Sequence, residues 1–269
     1  MSNICFIGAG NMAQSIIGGL LKSGSRKESI WATARSEDKR TNLADNFGVN
    51  TTDNNVAAVE ACRIIILAVK PQMMFGVCEE IAPYIQGKLV ISVAAGISCE
   101  SLEKWLGKNA AIVRCMPNTP SLIGQGACGL YANANTNTLQ KQAAQAILEA
   151  TGKAVWVDDE ALMHTVTAVS GSGPAYFFLF LEAMTQAAVE QGLDQHTAQS
   201  LAIQTAKGAA LLAEQSDDNL ETLRKKVTSP GGTTEQAILS FEHSGLRGTI
   251  NKAMAACAER SKVMAEELS

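Results

Sequence analysis

Ile4-Cys5-Phe6-Ile7-Gly8-Ala9-Gly10-Asn11-Met12-Ala13 is a short apolar run that ends on a glycine turn and passes directly into a helical pattern. In a strand–turn–helix of this kind the first glycine, Gly8, permits the tight turn. The second, Gly10, lets a pyrophosphate approach the backbone, and the small Ala13 lets helix and strand pack closely. The helix start adds unpaired N–H groups and the positive end of its dipole. Gly8, Gly10, Asn11 and Met12 are therefore the expected phosphate contacts of a dinucleotide-binding domain.

Working outward, residues 12–22 read as a helix stopped by Gly24, and 30–34 as a second strand. Residues 37–47 follow as a helix closed by Gly48. Residues 62–69, CRIIILAV, are rich in β-branched side chains with almost no alternation, as in a strand buried on both faces. Residues 89–93, 111–115 and 154–157 complete the strand set. Strands alternating with helices of this length imply parallel βαβ units. After Asp159 the pattern turns helical, over 175–191, 195–215, 219–227, 234–243 and 246–267. It is broken by SGSGP at 170–174 and SPGG at 229–232. The expected fold class is α/β: an N-terminal Rossmann domain with a mostly parallel sheet over 1–160, then an all-helical C-terminal domain over 161–269.

Composition narrows the chemistry. A chain of 269 residues with 46% hydrophobic and 18% charged residues is globular, and a net charge of −4 argues against nucleic acid as the main partner. Seven cysteines with no CxxC pair, and three scattered histidines, suggest reduced thiols in a cytoplasmic protein and no metal site. No apolar stretch approaches the ~20 residues needed to span a bilayer. The opening segment lacks the basic stretch, long apolar run and small-residue cleavage site of a secretory signal.

The second strand refines the cofactor. NAD-preferring domains end it on a carboxylate that binds the ribose 2′-hydroxyl. Here that end offers Ala34, Arg35 and Ser36, with Lys39 and Arg40 one turn on. A guanidinium pairs with a 2′-phosphate where a carboxylate repels it, so NADPH is expected in preference to NADH, with NADH still possible. Three more loops at strand ends should overlie the same crevice. Ala68-Val69-Lys70-Pro71 presents a lysine on a proline-fixed turn. Ala94 and Ala95 precede Gly96 in a small, flexible loop. Asn118 and Thr119 sit in a turn braced by Pro117 and Pro120.

Residues 227–234, Val-Thr-Ser-Pro-Gly-Gly-Thr-Thr, lie between two helices and open the second, expected to begin near Thr234. Hydroxyls, a Pro-Gly-Gly backbone and a helix start suit a carboxylate ligand. A threonine N-cap would explain one of these residues but not the cluster. His164, His196 and His243 belong to no recognisable acid–base arrangement, and the apolar segment 176–181 reads as helix core or subunit interface.

FIGAGNMA, AVKP, RCMPNTP, VSGSGPAY and above all VTSPGGTT resemble, in order and over essentially the whole chain, the pyrroline-5-carboxylate reductase family. The resemblance implies NAD(P)H-dependent reduction of L-1-pyrroline-5-carboxylate to L-proline, the last step of proline biosynthesis, by hydride transfer to the cyclic imine carbon. It implies a homodimer with interlocked C-terminal helices and the substrate site at its interface, and a larger assembly such as a decamer. Carried over by position, Ser229, Gly231, Gly232, Thr233 and Thr234 should hold the substrate carboxylate, and Thr234 should also reach the ring nitrogen as the catalytic hydroxyl. Ser172, within the break at 170–174, should line the pocket, and Asn55 should lie near the adenosine ribose. Proton delivery stays open between bulk water and an iminium that binds already protonated. A β-hydroxy-acid dehydrogenase would be expected to carry a lysine within 161–191, and there is none. A non-catalytic nucleotide sensor would be expected to lose the hydroxyl cluster, which is intact.

Overall fold

The computed structural model describes residues 3–268. Met1, Ser2 and Ser269, the outermost residues of the two expected domains, lie outside the described residues, and with Met1 and Ser2 so does the beginning of the segment not expected to be a secretory signal. Eight strands form one sheet: β1 (Ile4–Ile7), β2 (Ile30–Thr33), β3 (Asn50–Thr52), β4 (Ile64–Leu67), β5 (Leu89–Ser92), β6 (Ala111–Met116), β7 (Gly126–Ala132) and β8 (Gly152–Trp156). Their order is β3-β2-β1-β4-β5-β6-β7-β8, and every pairing is parallel except β6 with β7. The mostly parallel sheet expected from the sequence is the sheet observed.

The unbroken apolar runs follow from burial on both faces. Ile4, Phe6, Ile64 and Ile66 belong to one core cluster, while Cys5, Ile7, Ile65 and Leu67 point the other way into a second. Helices α1 (Asn11–Lys22), α2 (Glu37–Phe47) and α6 (Thr138–Glu149) supply Ile16, Ile17, Leu43, Ile147 and Leu148 to the first. Helices α3 (Asn55–Glu60), α4 (Met74–Ile81) and α5 (Cys99–Leu106) supply Val59, Val77, Cys78 and Leu102 to the second.

Two strands escape the sequence pattern. β3 is Asn-Thr-Thr, a half-buried edge with no apolar residue to mark it. β7 is glycine-rich, and it runs against β6 after a tight 3-10 turn, Thr119–Ile123, closed by Gly124 in the left-handed region. Its glycines are required: a Cβ on Gly129 would lie 2.4 Å from Val166 Cγ1. The remaining helices are α7 (Leu162–Val166), α8 (Gly173–Glu190), α9 (Gln195–Gln215), α10 (Leu220–Lys226), α11 (Thr233–His243) and α12 (Leu246–Glu267).

The chain divides into two compact units. One contains the residues up to Ser172 together with those from Ala256 onward; the other is Gly173–Ala255. In the first unit α7 continues into a π-helical turn, Thr167–Gly171, where a looser glycine break was expected. A Cβ on Gly171 would fall 2.6 Å from Met116 Cε, so an added methyl would have to displace the tip of that flexible side chain. In the second unit Phe177, Phe178 and Leu179 of α8 are each about two-thirds exposed, and Leu201 and Leu212 of α9 are also exposed. The segment 176–181 is thus not helix core within one chain. No helix among the described residues is long and apolar enough to cross a membrane.

Candidate functional site

β1 pairs with β2 on one side and β4 on the other, so the strand order reverses at β1 and β4. Ligands of open α/β sheets sit beyond the carboxyl ends of the strands at such a point. Gly8 lies there at φ +104°, and a Cβ on it would fall 2.8 Å from Ala68 O. Glycine is therefore demanded by both the backbone angle and the neighbouring strand. Gly10 is the N-cap of α1 and provides no side-chain cap; a Cβ on it would meet nothing within 4 Å. The first turn of α1 has no acidic residue. Its N–H groups and dipole are left to an anion, and the backbone at Gly10 is open to close approach. Asn11 is exposed and Met12 half-buried.

The turn is tied to β2 through a residue the sequence did not single out. Gly8 N–H donates to Thr33 Oγ1 (3.3 Å), and the Thr33 hydroxyl donates to Asn55 Oδ1 (2.7 Å). Asn55 Nδ2 in turn donates to Glu80 Oε2 (2.8 Å). Asn55 therefore connects with the glycine turn through the Thr33 hydroxyl. Beyond Thr33, Arg40 is committed: its guanidinium donates to Ala34 O (2.8 Å) and Arg35 O (2.9 Å). Arg35 and Ser36 are exposed, and Arg35 makes no ion pair among the described residues. Arg40 shapes the loop and leaves the Arg35 side chain available.

The other predicted loops reach the same edge of the sheet, since the ends of β1, β4, β5 and β6 run in register. Ala68 and Val69 are half-buried and Lys70 is exposed before the 3-10 turn Pro71–Met73. Ala94 is buried and Ala95 half-buried. Asn118 is buried and already employed: Nδ2 donates to Ser170 O (3.0 Å), and Oδ1 accepts from Ala127 N–H (2.9 Å). It bolts the end of β6 to β7 and to the π turn, while Thr119 beside it is exposed.

Arg114, a lone charge buried inside the apolar strand β6, forms an ion pair at 2.9 Å with the half-buried Glu160. Glu160 Oε1 also accepts from Cys99 N–H (2.7 Å). The pair anchors the segment leading to α7, and the unexpected arginine in AIVRCM was its only sequence signal. His164 Nδ1 lies 2.9 Å from Ser261 Oγ, and Ser172 Oγ accepts from the Cys257 thiol (3.3 Å). Burial, followed by the charges of Arg114 and Lys262, lowers the His164 pKa. Burial pushes the Cys78 thiol up to about 12, far from the range of a reactive thiolate.

The hydroxyl-rich loop belongs to the second unit. Gly232, not a threonine, is the N-cap of α11, and no side chain caps the helix. Thr228 is spent on Arg224 O (2.6 Å). Ser229, Thr233 and Thr234 are exposed and Gly232 is half-buried. Gly231, at φ +72°, donates its N–H to Glu235 Oε2 (2.7 Å). The loop thus offers a helix start with open N–H groups and three hydroxyls around it.

Residues 160–264 match the family model described as pyrroline-5-carboxylate reductase dimerisation. Residues 3–96 match the model described as NADP oxidoreductase, coenzyme F420-dependent. The pyrroline-5-carboxylate reductase of Pseudomonas aeruginosa is 48% identical over 266 residues, covering 98% of this chain and 97% of that one. The structure of a pyrroline-5-carboxylate reductase from Coxiella burnetii has a TM-score of 0.96 and 44% identity, with 98% of each chain covered. The Plasmodium falciparum pyrroline carboxylate reductase with NADP bound has a TM-score of 0.86 and 32% identity, with 98% of each chain covered.

Proposed function

The chain belongs to the pyrroline-5-carboxylate reductase family, and on that premise we propose that it reduces L-1-pyrroline-5-carboxylate to L-proline with NADPH, closing proline biosynthesis. The observation that carries the reading is the α11 start, where a glycine N-cap leaves N–H donors open beside the hydroxyls of Ser229, Thr233 and Thr234. A small carboxylate is the ligand such a start selects. Ser229 and Thr233 bring hydroxyls to the cradle, Gly231 and Gly232 shape its backbone, and Ser172 is a further lining residue. Thr234 hydrogen-bonds the ring nitrogen and is the catalytic residue of this scheme. Its hydroxyl donates to the neutral imine nitrogen or accepts from the N–H of the iminium, and the hydrogen-bonded or protonated form is the better hydride acceptor.

The glycine turn fits the cofactor on two counts: Gly10 has no atom within 4 Å of a Cβ position, and the first turn of α1 lacks carboxylates. Bound NADPH supplies the hydride. Gly8, Gly10, Asn11 and Met12 take the pyrophosphate, Ala34, Arg35 and Ser36 the 2′-phosphate, and Asn55 the adjoining ribose. Ala68, Val69, Lys70, Pro71, Ala94, Ala95 and Thr119 line the rest of the crevice, with Asn118 holding that edge in shape. Transfer requires donor and acceptor carbons about 3–3.5 Å apart, so positioning supplies much of the rate gain.

Residues 1–160 then serve as the cofactor domain and 161–269 as the substrate and dimerisation domain. The exposed Phe177, Phe178 and Leu179 support a homodimer with interlocked helices, since single chains rarely leave so large an apolar patch in water. Assembly beyond the dimer, as far as a decamer, belongs to the same proposal. Seven free cysteines support a cytoplasmic setting. The decisive assay follows NADPH absorbance with pyrroline-5-carboxylate, with other cyclic imines and with no substrate, and chromatographs the proline formed. Substrate-independent oxidation, or a faster reaction with another imine, defeats the proposal.

A further inference from the structure

We infer that Glu235 is a positioning residue that locks the substrate loop in the form able to receive a carboxylate; the inference rests on the proposed role of residues 229–234. Ser229-Pro230-Gly231-Gly232 is a β-turn in which Gly232 N–H donates to Ser229 O (3.0 Å). Proline at its second position and φ +72° at Gly231 are the signature of type II. In that turn the central peptide N–H, that of Gly231, points away from the chain reversal and needs its own acceptor. Glu235 Oε2 provides it at 2.7 Å, reaching back from the first turn of α11.

Two consequences follow. Glycine at the third position rotates between positive and negative φ at little cost, so Pro230-Gly231 alone would interconvert between turn types. The Glu235 carboxylate stabilises one of them. It also occupies the Gly231 donor, while Gly232 N–H is spent within the turn and Gln236 N–H bonds Gly232 O. The helix-start donors left for a ligand are those of Thr233, Thr234 and Glu235, next to the hydroxyl assigned to the ring nitrogen. An incoming carboxylate is thereby directed to one place in the loop and does not spread over two.

Glu235→Ala restores the mixture of turns, and apparent affinity falls with the fraction of competent loop. Expected is a rise of about fivefold or more in KM for pyrroline-5-carboxylate, with kcat within about twofold, since bound substrate reacts normally. Glu235→Gln keeps an oxygen acceptor for the same N–H and should restore KM to within about twofold of the parent. Gly231→Ala has no steric neighbour within 4 Å and disfavours only the positive φ, so it should raise KM similarly. It decides the matter if Glu235→Ala does not fold. An unchanged KM in Glu235→Ala or in Gly231→Ala, or a Glu235→Gln enzyme as impaired as Glu235→Ala, overturns the inference. Thr234→Ala, measured in parallel, separates the two levels. If it is impaired while Glu235→Ala is not, only the positioning role is lost; if it too is unaffected, the loop is not the substrate site.

Discussion

Gly10→Ala isolates the phosphate site from the fold. Gly10 has φ −75° and ψ 176°, a conformation open to any residue, and an added methyl meets nothing within 4 Å. The stability cost is that of replacing a favourable glycine N-cap with alanine, about 1 kcal/mol. A pyrophosphate laid on the same backbone has no such room. Displacing it forfeits one or two N–H hydrogen bonds to a charged oxygen, each worth about 1.5–3 kcal/mol. One of these alone predicts that KM for NADPH rises about ten- to a hundredfold. Gly8→Ala is the contrasting variant. At φ +104° its Cβ would lie 2.8 Å from Ala68 O and 3.0 Å from Val69 Cγ1. Backbone strain of ~1–3 kcal/mol and overpacking of a similar size then fall on the fold itself. Urea melts and NADPH fluorescence titrations on both variants test the pair. A well-folded Gly10→Ala enzyme that binds NADPH like its parent would refute the phosphate assignment. Gly8→Ala melting like its parent would refute the close approach of β1 and β4.

Arg35→Asp should lower kcat/KM with NADPH by about tenfold or more while sparing NADH, because a carboxylate repels the 2′-phosphate that the guanidinium pairs with. Equal losses with both cofactors in steady-state assays would show that Arg35 only supports the loop. Thr234→Ala should reduce kcat/KM for pyrroline-5-carboxylate with an unchanged melting curve, as its hydroxyl is exposed and has no structural partner among the described residues. Kinetics identical to the parent's would remove it from the site. His164 gives a stability trend with pH. Its folded pKa is lowered, so the unfolded chain binds the proton more readily. The stability it contributes is complete above the unfolded value of about 6.5 and is lost as pH falls through the folded pKa. Urea midpoints should drop between neutral and mildly acidic pH, less steeply in His164→Gln; parallel slopes would clear His164 of the effect.

The parts of the fold that were legible in the sequence depend on local pattern. β4 could be read because Ile64–Leu67 is apolar on both faces. The α2 stop could be read because Gly48 takes the left-handed cap at φ +67°. β3 and β7 could not: three polar residues and a glycine-rich stretch carry no periodicity, and pairing with distant partners defines both. The same division runs through the site. Which residue types the motifs bring forward was visible, but which of their donors are already spent was not, because that depends on contacts far apart in the chain. Arg40 and Arg35 look equivalent in the sequence, yet Arg40 is used up on backbone carbonyls. Asn118 and Thr119 are adjacent, and only Asn118 is committed, to Ser170 fifty-two positions away. Thr228 bonds Arg224 O, whereas Thr233 and Thr234 remain exposed at the helix start. A motif therefore names more candidates than a site can use. Residues whose hydrogen bonds hold the loops, such as Thr33, Arg40, Asn118 and Glu235, should show their loss in apparent affinity or stability. Those that keep a free donor, Arg35 and Thr234 above all, should show it in cofactor choice and turnover.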